Sequence, residues 1–437
     1  MNKPFCGVTY LLISLVAMNG FGEHNPGKPS APIRNVNKNA PAAELKLPAG
    51  FSAAVIAQDL GAARHITVSQ TGDVYVKLAK LKDGKGIYRL RDTNNDGVMD
   101  EQVGFGDYPG TGILIKNGYL YASSNSSVYR YKLNEKQEVV NPDQPETIVS
   151  GLREKERDKS KSIAIDNQNN LYVNVASDND ACREPGTGKG LMPCALRDTA
   201  GIWRFKANAT NQTYSDGVHF AKGLKNVVGL DWNPKSNTLF VTQHGRGKFD
   251  DFYPQYYTPQ HSAALPAETM YELHQGDDAG WPYIYFDPVQ KKKILAPEYG
   301  GDGKKTGGEK NISPLAAFPA HMGPNALLFY TGTAFPEKYR NGAFIAFHGQ
   351  NQPLNKGYLV GFVPFKNGKP SGPWEIFADN FAGIDLAKPT GPVQHRPCGL
   401  AQGPDGSLYV SDDLNGTLYR ISYSGTATKT TASAKKK

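Results

Sequence analysis

Apolar and polar residues alternate in short runs along most of the chain, and the runs come in pairs. The first members read Asp73-Val74-Tyr75-Val76, Tyr119-Leu120-Tyr121-Ala122, Leu171-Tyr172-Val173, Leu239-Phe240-Val241, Ala343-Phe344-Ile345 and Leu408-Tyr409-Val410. The second members include Gly86-Ile87-Tyr88-Arg89-Leu90, Val128-Tyr129-Arg130-Tyr131, Gly201-Ile202-Trp203-Arg204-Phe205 and Thr269-Met270-Tyr271-Glu272-Leu273. Tyr358-Leu359-Val360-Gly361-Phe362 and Thr417-Leu418-Tyr419-Arg420-Ile421 complete the six. Period-two runs rich in aromatic and β-branched residues, bounded by Gly, Asn and Asp, predict β-strands joined by turns. A strand pair cannot bury its own faces, so six copies must stack on one another. The pattern predicts an all-β fold, a six-bladed β-propeller with long inter-blade loops on one face. Two packed β-sandwiches are the alternative.

Composition agrees: the 437 residues hold 47 Gly, 30 Pro, 23 Tyr and 19 Phe, with 39% hydrophobic overall. That is enough apolar material to exclude wholesale disorder. Met1-Asn2-Lys3 precedes an uncharged apolar run from Gly7 to Phe21, the form of a secretory signal peptide, with a retained anchor as the alternative. The expected order is a signal peptide (1–22), a flexible leader (23–43), the propeller (44–423) and a Lys-rich disordered tail (424–437). The protein is expected to be exported, periplasmic or extracellular, with no membrane span in the mature chain. The formal charge of +8 raises the question of a nucleic-acid partner. The first 43 residues carry +3 and the tail four lysines, leaving +1 for the body, so no nucleic-acid surface is expected there.

Four Cys are too few for a disulfide-built scaffold, and no C-x-x-C, C-x-x-C-H or H-E-x-x-H occurs. No G-x-S-x-G lies between a strand and a helix, which weakens a serine hydrolase. Cys182 and Cys194 flank a Gly/Pro-rich excursion, where a loop-closing disulfide is expected in an exported protein, two free thiols being the alternative. Cys398 reads as a buried small residue. Oxygen-bearing Asp92, Asn94, Asp96 and Asp100 around Gly97 resemble the start of an EF-hand loop without its twelfth-position Glu. A structural calcium loop is expected there; an Asx-rich turn is the alternative.

Four further stretches are distinctive: Gly112 to Ala122, Phe329-Tyr330-Thr331-Gly332 through Phe344, Gly280-Trp281-Pro282, and Arg396-Pro397-Cys398-Gly399-Leu400 continuing through Ser411-Asp412-Asp413. Together they resemble the sorbosone dehydrogenase-like branch of the soluble PQQ-dependent sugar dehydrogenases, from about Leu47 to Tyr423. The resemblance implies pyrroloquinoline quinone (PQQ) and calcium on the loop-rich face, and a sugar or related alcohol or aldehyde as substrate. It assigns Arg64, Lys225, Asn226, His321, His348 and Arg396 to the cofactor pocket. Lys225 stands where the family usually has Arg, in Gly223-Leu224-Lys225-Asn226. Gly245 and Arg246 fall in the segment whose backbone carbonyls ligate calcium, with Asp250 and Asp251 following. The family's catalytic His has no counterpart here; Asp158 falls at its position, between Arg157 and Lys159. Two other functions are weighed: a non-catalytic propeller binding carbohydrate or an envelope partner, and a calcium-dependent lactonase-like hydrolase. Neither the substrate's identity nor the electron acceptor is written in these motifs.

Overall fold

The computed structural model describes residues 44–154 and 159–425. The expected signal peptide, the leader and nearly all of the tail lie outside the described residues, as does Asp158. Six antiparallel four-stranded blades are arranged around an axis. Blade 1 runs Ala63–Val68, Val74–Lys82, Lys85–Arg91 and Glu101–Phe105, and blade 2 runs Ile113–Lys116, Tyr119–Ser123, Val128–Lys132 and Glu146–Ser150. Blade 3 contains Ile163–Ile165, Asn170–Val175, Gly201–Lys206 and Val218–Lys222; blade 4 contains Val227–Asn233, Thr238–Gln243, Glu268–Leu273 and Ala316–Phe318. Pro324–Phe329, Gly342–Asn351, Lys356–Lys366 and Glu375–Ala378 make blade 5.

Blade 6 is a composite. Pro397–Gln402, Leu408–Asp412 and Leu418–Tyr423 come from the end of the chain, and Phe51–Ala57 supplies the outer strand. Phe51 pairs with Tyr423 and Val55 with Tyr419. The six strand pairs read from the sequence coincide with the second and third strand of every blade. The short inner strands and the outer strands escaped that reading. Inner strands such as Ile163–Ile165 offer only three residues, all buried, and so show no alternation.

Blades adhere through aromatic layers. At the junction of blades 5 and 6, Phe51 meets Phe335, Tyr339 and Phe377 edge-on, with centroids 4.8, 5.5 and 5.0 Å away. Phe344, Phe362 and Tyr419 extend the same cluster. The second-to-third-strand connections of blades 3 and 4 are long, and a third insertion in blade 4 carries the hairpin Ile284–Asp287/Lys292–Leu295. These insertions pack on one another. The disulfide Cys182–Cys194 forms, and with Ala200 and Trp281 it makes a small core of its own. Closing a loop of 12 residues restricts the unfolded chain by roughly 3 kcal/mol. Among the described residues, no helix is long and apolar enough to cross a membrane.

Because Phe51 is 5% exposed in a shared aromatic layer, Phe51→Ala should leave a cavity where the strands Phe51–Ala57 and Leu418–Tyr423 pair. The expected loss is about 3–5 kcal/mol, measured by reversible denaturant unfolding; a change under about 1 kcal/mol would show that the strand pairing alone closes the ring.

Candidate cofactor and active site

The inner strands all start on the face that carries the long loops, so their first residues converge near the axis. Two glycines let them do so. Gly399 has Arg64's carbonyl so close that a Cβ there would lie 2.4 Å from it, which draws blade 6 against blade 1. Gly223, at φ 69°, turns the chain into Leu224-Lys225-Asn226, where a Cβ would meet the Asp278 carboxylate at 2.2 Å. The cavity so formed measures about 370 Å3 and is lined by Arg64, Lys159, Ser160, Asn226, His244, Asn325 and His348, among others. That lies within the range of about 300–1,000 Å3 usual for small-molecule sites.

Asp413 organises one wall. Arg64 donates to it at 3.2 Å, Arg396 through Nε at 3.0 Å, and His348 Nε2 lies 2.9 Å from both of its oxygens. Burial alone would raise the Asp413 pKa, but the His348 hydrogen bond and the two guanidiniums outweigh it and hold the carboxyl at about 2. Arg64 also donates to Ser160 Oγ at 3.1 Å. The neighbouring Asp412, fully buried, accepts the Arg396 backbone N–H at 2.7 Å and faces His395 Nδ1 at 2.9 Å. One aspartate therefore fixes the Arg396 backbone and the next its side chain.

The imidazoles around the cavity are held neutral. Burial is the largest cause of the lowered pKa of His348, reinforced by Arg64 and Arg396 and opposed by Asp413. His244, whose Nε2 has no partner, falls to about 3, chiefly through burial and then Lys225. His65 closes the floor, its Nε2–H donating to the Asn325 carbonyl at 2.7 Å, and burial takes it to about 4.

On the far wall Asn174 ties blades 3 and 4 together, donating to Ser160 O at 2.9 Å and Asn226 Oδ1 at 3.1 Å. Lys225 is 8% exposed; its ammonium lies 2.8 Å from Asp180 Oδ1 and donates to the Gly245 carbonyl at 3.2 Å. The Arg246 side chain turns away, into an ion pair with buried Glu298. Arg64, Lys159, Lys225 and Arg396 gather around Asp413 and Asp180; the buried Glu268 beside Lys225 is pushed up to about 8, chiefly by burial, which leaves the described site locally positive.

Of the residues expected in the pocket, Arg64, Asn226 and His348 line it, Arg396 reaches it through Asp413, and Lys225 with Gly245 forms its edge. His321 departs from expectation. Its Nε2 pairs with the Ser262 carbonyl at 3.1 Å, turned toward the short helix Pro259–Ala264 rather than among the lining residues. Asp92, Asn94, Asp96 and Asp100 belong to the connection between the third and fourth strands of blade 1, on the opposite face. Their side-chain oxygens accept N–H groups of Asp96, Gly97, Val98 and Thr93. Cys398 is buried, and its Sγ lies within 4.8 Å of the ligand atoms of His348 and Asp413. Two guanidiniums already sit on Asp413, so this trio suits a held imidazole better than a cation. Asp413, Asp180 and His244 were missed in the sequence. Asp413 ends a quoted motif, yet nothing local marks which of two adjacent aspartates turns inward.

The profile of the TrAA12-like family matches residues 45–283 and 292–424. A PQQ-dependent sugar dehydrogenase of Hypocrea jecorina is 22% identical over 418 residues, covering 86% of this chain and 88% of that protein. The calcium structure of the Trichoderma reesei family AA12 carbohydrate-active enzyme superposes with a TM-score of 0.70 at 20% identity, covering 90% of this chain and 99% of that one. The holo PQQ domain of Coprinopsis cinerea pyranose dehydrogenase does so at 0.66 and 19%, covering 86% and 97%. These matches bear out the resemblance to the soluble PQQ-dependent sugar dehydrogenases and the propeller fold, without singling out the sorbosone branch. With matched stretches that span nearly the whole propeller, the chain belongs to the TrAA12-like family.

Proposed function

We propose that the protein is an exported PQQ-dependent oxidoreductase that oxidises a sugar or related alcohol or aldehyde, with His348 as its base. The observation that carries this reading is the Asp413–His348 pair set between Arg64 and Arg396 at the cavity wall. The relatives named above, and a cationic cavity of cofactor size, support PQQ. The Cys182–Cys194 bridge supports export, since such bonds persist in oxidising compartments.

The donor set fits a planar polyanion. Arg64, Arg396 and Lys159 would hold its carboxylates through charge-assisted hydrogen bonds, with Asn226 donating or accepting at the opposite edge. When bound, the quinone supplies the hydride acceptor. A carboxylate held at about 2 only accepts, so the His348 Nε2 carries the proton of that bond and Nδ1 is left as acceptor. Nδ1 then takes the substrate hydroxyl proton, and ionised Asp413 stabilises the imidazolium that results. The Gly245 carbonyl is already engaged by Lys225, so no step is assigned to calcium there.

Asp158 is the competing base, and Lys159 and Ser160, which follow it, line the cavity. In protein loaded with PQQ, His348→Gln should lower kcat by about 10²–10⁴-fold while cofactor absorbance is retained. Asp158→Asn should stay within about threefold of the native enzyme. The reverse pattern in dye-reduction assays would transfer the role to Asp158. Retained cofactor without turnover in the native protein would favour the carbohydrate-binding reading.

The neutral imidazole is the active form, so activity should rise with pH through an acid limb centred below the ordinary histidine value of 6.5. Asp413 opposes that lowering, so Asp413→Asn should move the limb to still lower pH. A limb above 6.5 in the kcat/KM profile of the native enzyme would rule His348 out.

A further inference from the structure

The carbonyl that the resemblance assigns to a cofactor calcium ion, that of Gly245, already faces a cation of the chain itself. Lys225 Nζ donates to it at 3.2 Å and lies 2.8 Å from Asp180 Oδ1. The arrangement is built, not incidental. The Lys225 backbone N–H is fixed by Gln243 Oε1 at 2.9 Å. Asp180 Oδ2 accepts the Gly247 N–H at 2.6 Å, and the Asp180 carbonyl accepts Trp281 Nε1 at 3.0 Å. Asp180 stands two residues before Cys182, at the root of the excursion stapled to Cys194.

The substitution read in the sequence explains how this can arise. Where the resemblance leads one to expect a planar guanidinium, this chain has a compact ammonium on a flexible stem, a point charge able to sit among oxygen ligands. An added calcium ion needs oxygens at about 2.3–2.6 Å. At Gly245 it would share its carbonyl with the ammonium and lie against a like charge. The next side chain, Arg246, is committed to Glu298, and the carboxylates at hand are Asp180, already paired with Lys225, and the buried Glu268.

We propose that Lys225 is the resident cation of this site: its ammonium, positioned by Asp180 and the Gly245 carbonyl, takes the place of the divalent ion in binding the anionic cofactor. The proposal rests on the PQQ reading above. Asp180 is a positioning residue in it, acting through Lys225. The consequence is a cofactor affinity indifferent to calcium and to chelators.

The test has two independent arms. Full-length protein stripped with EDTA is titrated with PQQ, followed by absorbance, in EDTA and again in millimolar calcium. Native affinity should agree within about threefold between the two, whereas Lys225→Gln should bind about tenfold or more weakly in EDTA and recover in calcium. In the second arm, calcium alone is titrated calorimetrically into cofactor-free native protein and Lys225→Gln. The variant should take up one ion more than the native chain, whatever the Asp92–Asp100 loop binds in both. A native protein that needs calcium for PQQ, or equal calcium uptake by the two proteins, overturns the proposal. Failure of native protein to bind PQQ under either condition instead overturns the cofactor reading, and the calcium arm still decides the role of Lys225. Should Lys225→Gln not fold, Lys225→Arg installs the residue that the resemblance leads one to expect there, and it should gain the same ion.

Discussion

The cavity face depends on one set of backbone hydrogen bonds, those joining residues 51–57 to 418–423. A radial sheet array has two open edges unless its first and last blades are fixed together, and an open edge invites pairing with other chains. Here the seam falls within blade 6, so blades 6 and 1 are held side by side by strands from opposite ends of the chain. The Arg64–Asp413 pair crosses that seam, 349 residues apart in sequence. Ser411 Oγ on the Arg64 carbonyl and the missing side chain of Gly399 bring the two inner strands into contact at the same level. Ring closure and assembly of the basic wall are therefore one event.

Asp413 shows why a nearly buried carboxylate is tolerable there. An isolated buried anion is costly, and its usual escape is to take up a proton. Three donors from three blades prevent this, and its pKa falls instead. The same donors are then oriented by it: two guanidiniums are fixed on its oxygens, that of Arg64 at the cavity wall, and one imidazole is held against it. Removing the aspartate would release all three, a coupling that pairwise accounting of the contacts would understate.

How much of this was legible follows from the range of each interaction. The second and third strands of each blade are adjacent in sequence, alternate in period two and carry their turns with them, so six pairs sufficed to predict the propeller. Inner and outer strands carry little local signal, and Phe51–Ala57 owes its place to a partner at the other end of the chain. Arg64, Asn226, His348 and Arg396 were reachable through the family resemblance because they sit beside the turns that open the blades. His321 lies outside the lining residues: its loop position suggested the pocket, while the helix Pro259–Ala264 in the preceding insertion offers its ring a carbonyl. Asp180 was hidden for a related reason. Its role exists only because a disulfide-stapled loop of blade 3 leans onto the second strand of blade 4.

That leaning also gives the mouth of the cavity two unlike sides. Blades 1, 5 and 6 turn between their second and third strands in two to five residues, whereas blades 3 and 4 use 25 and 24. The long connections interlock through Trp281, Arg246–Glu298 and Tyr253 on the Gly188 carbonyl, so they form a packed wall rather than loose loops. Lys225 and Asp180 lie under this wall, while His348, Arg64 and Arg396 lie on the low side. A planar anion gripped beneath the wall would keep one edge in a sheltered environment where its charge is strongly felt. Its other edge would face His348 across open space, where a substrate hydroxyl can enter. The asymmetry of loop lengths would thus shelter the Lys225 edge of the cofactor while Arg64 and Arg396 hold the edge open to the substrate, without altering the six-fold frame.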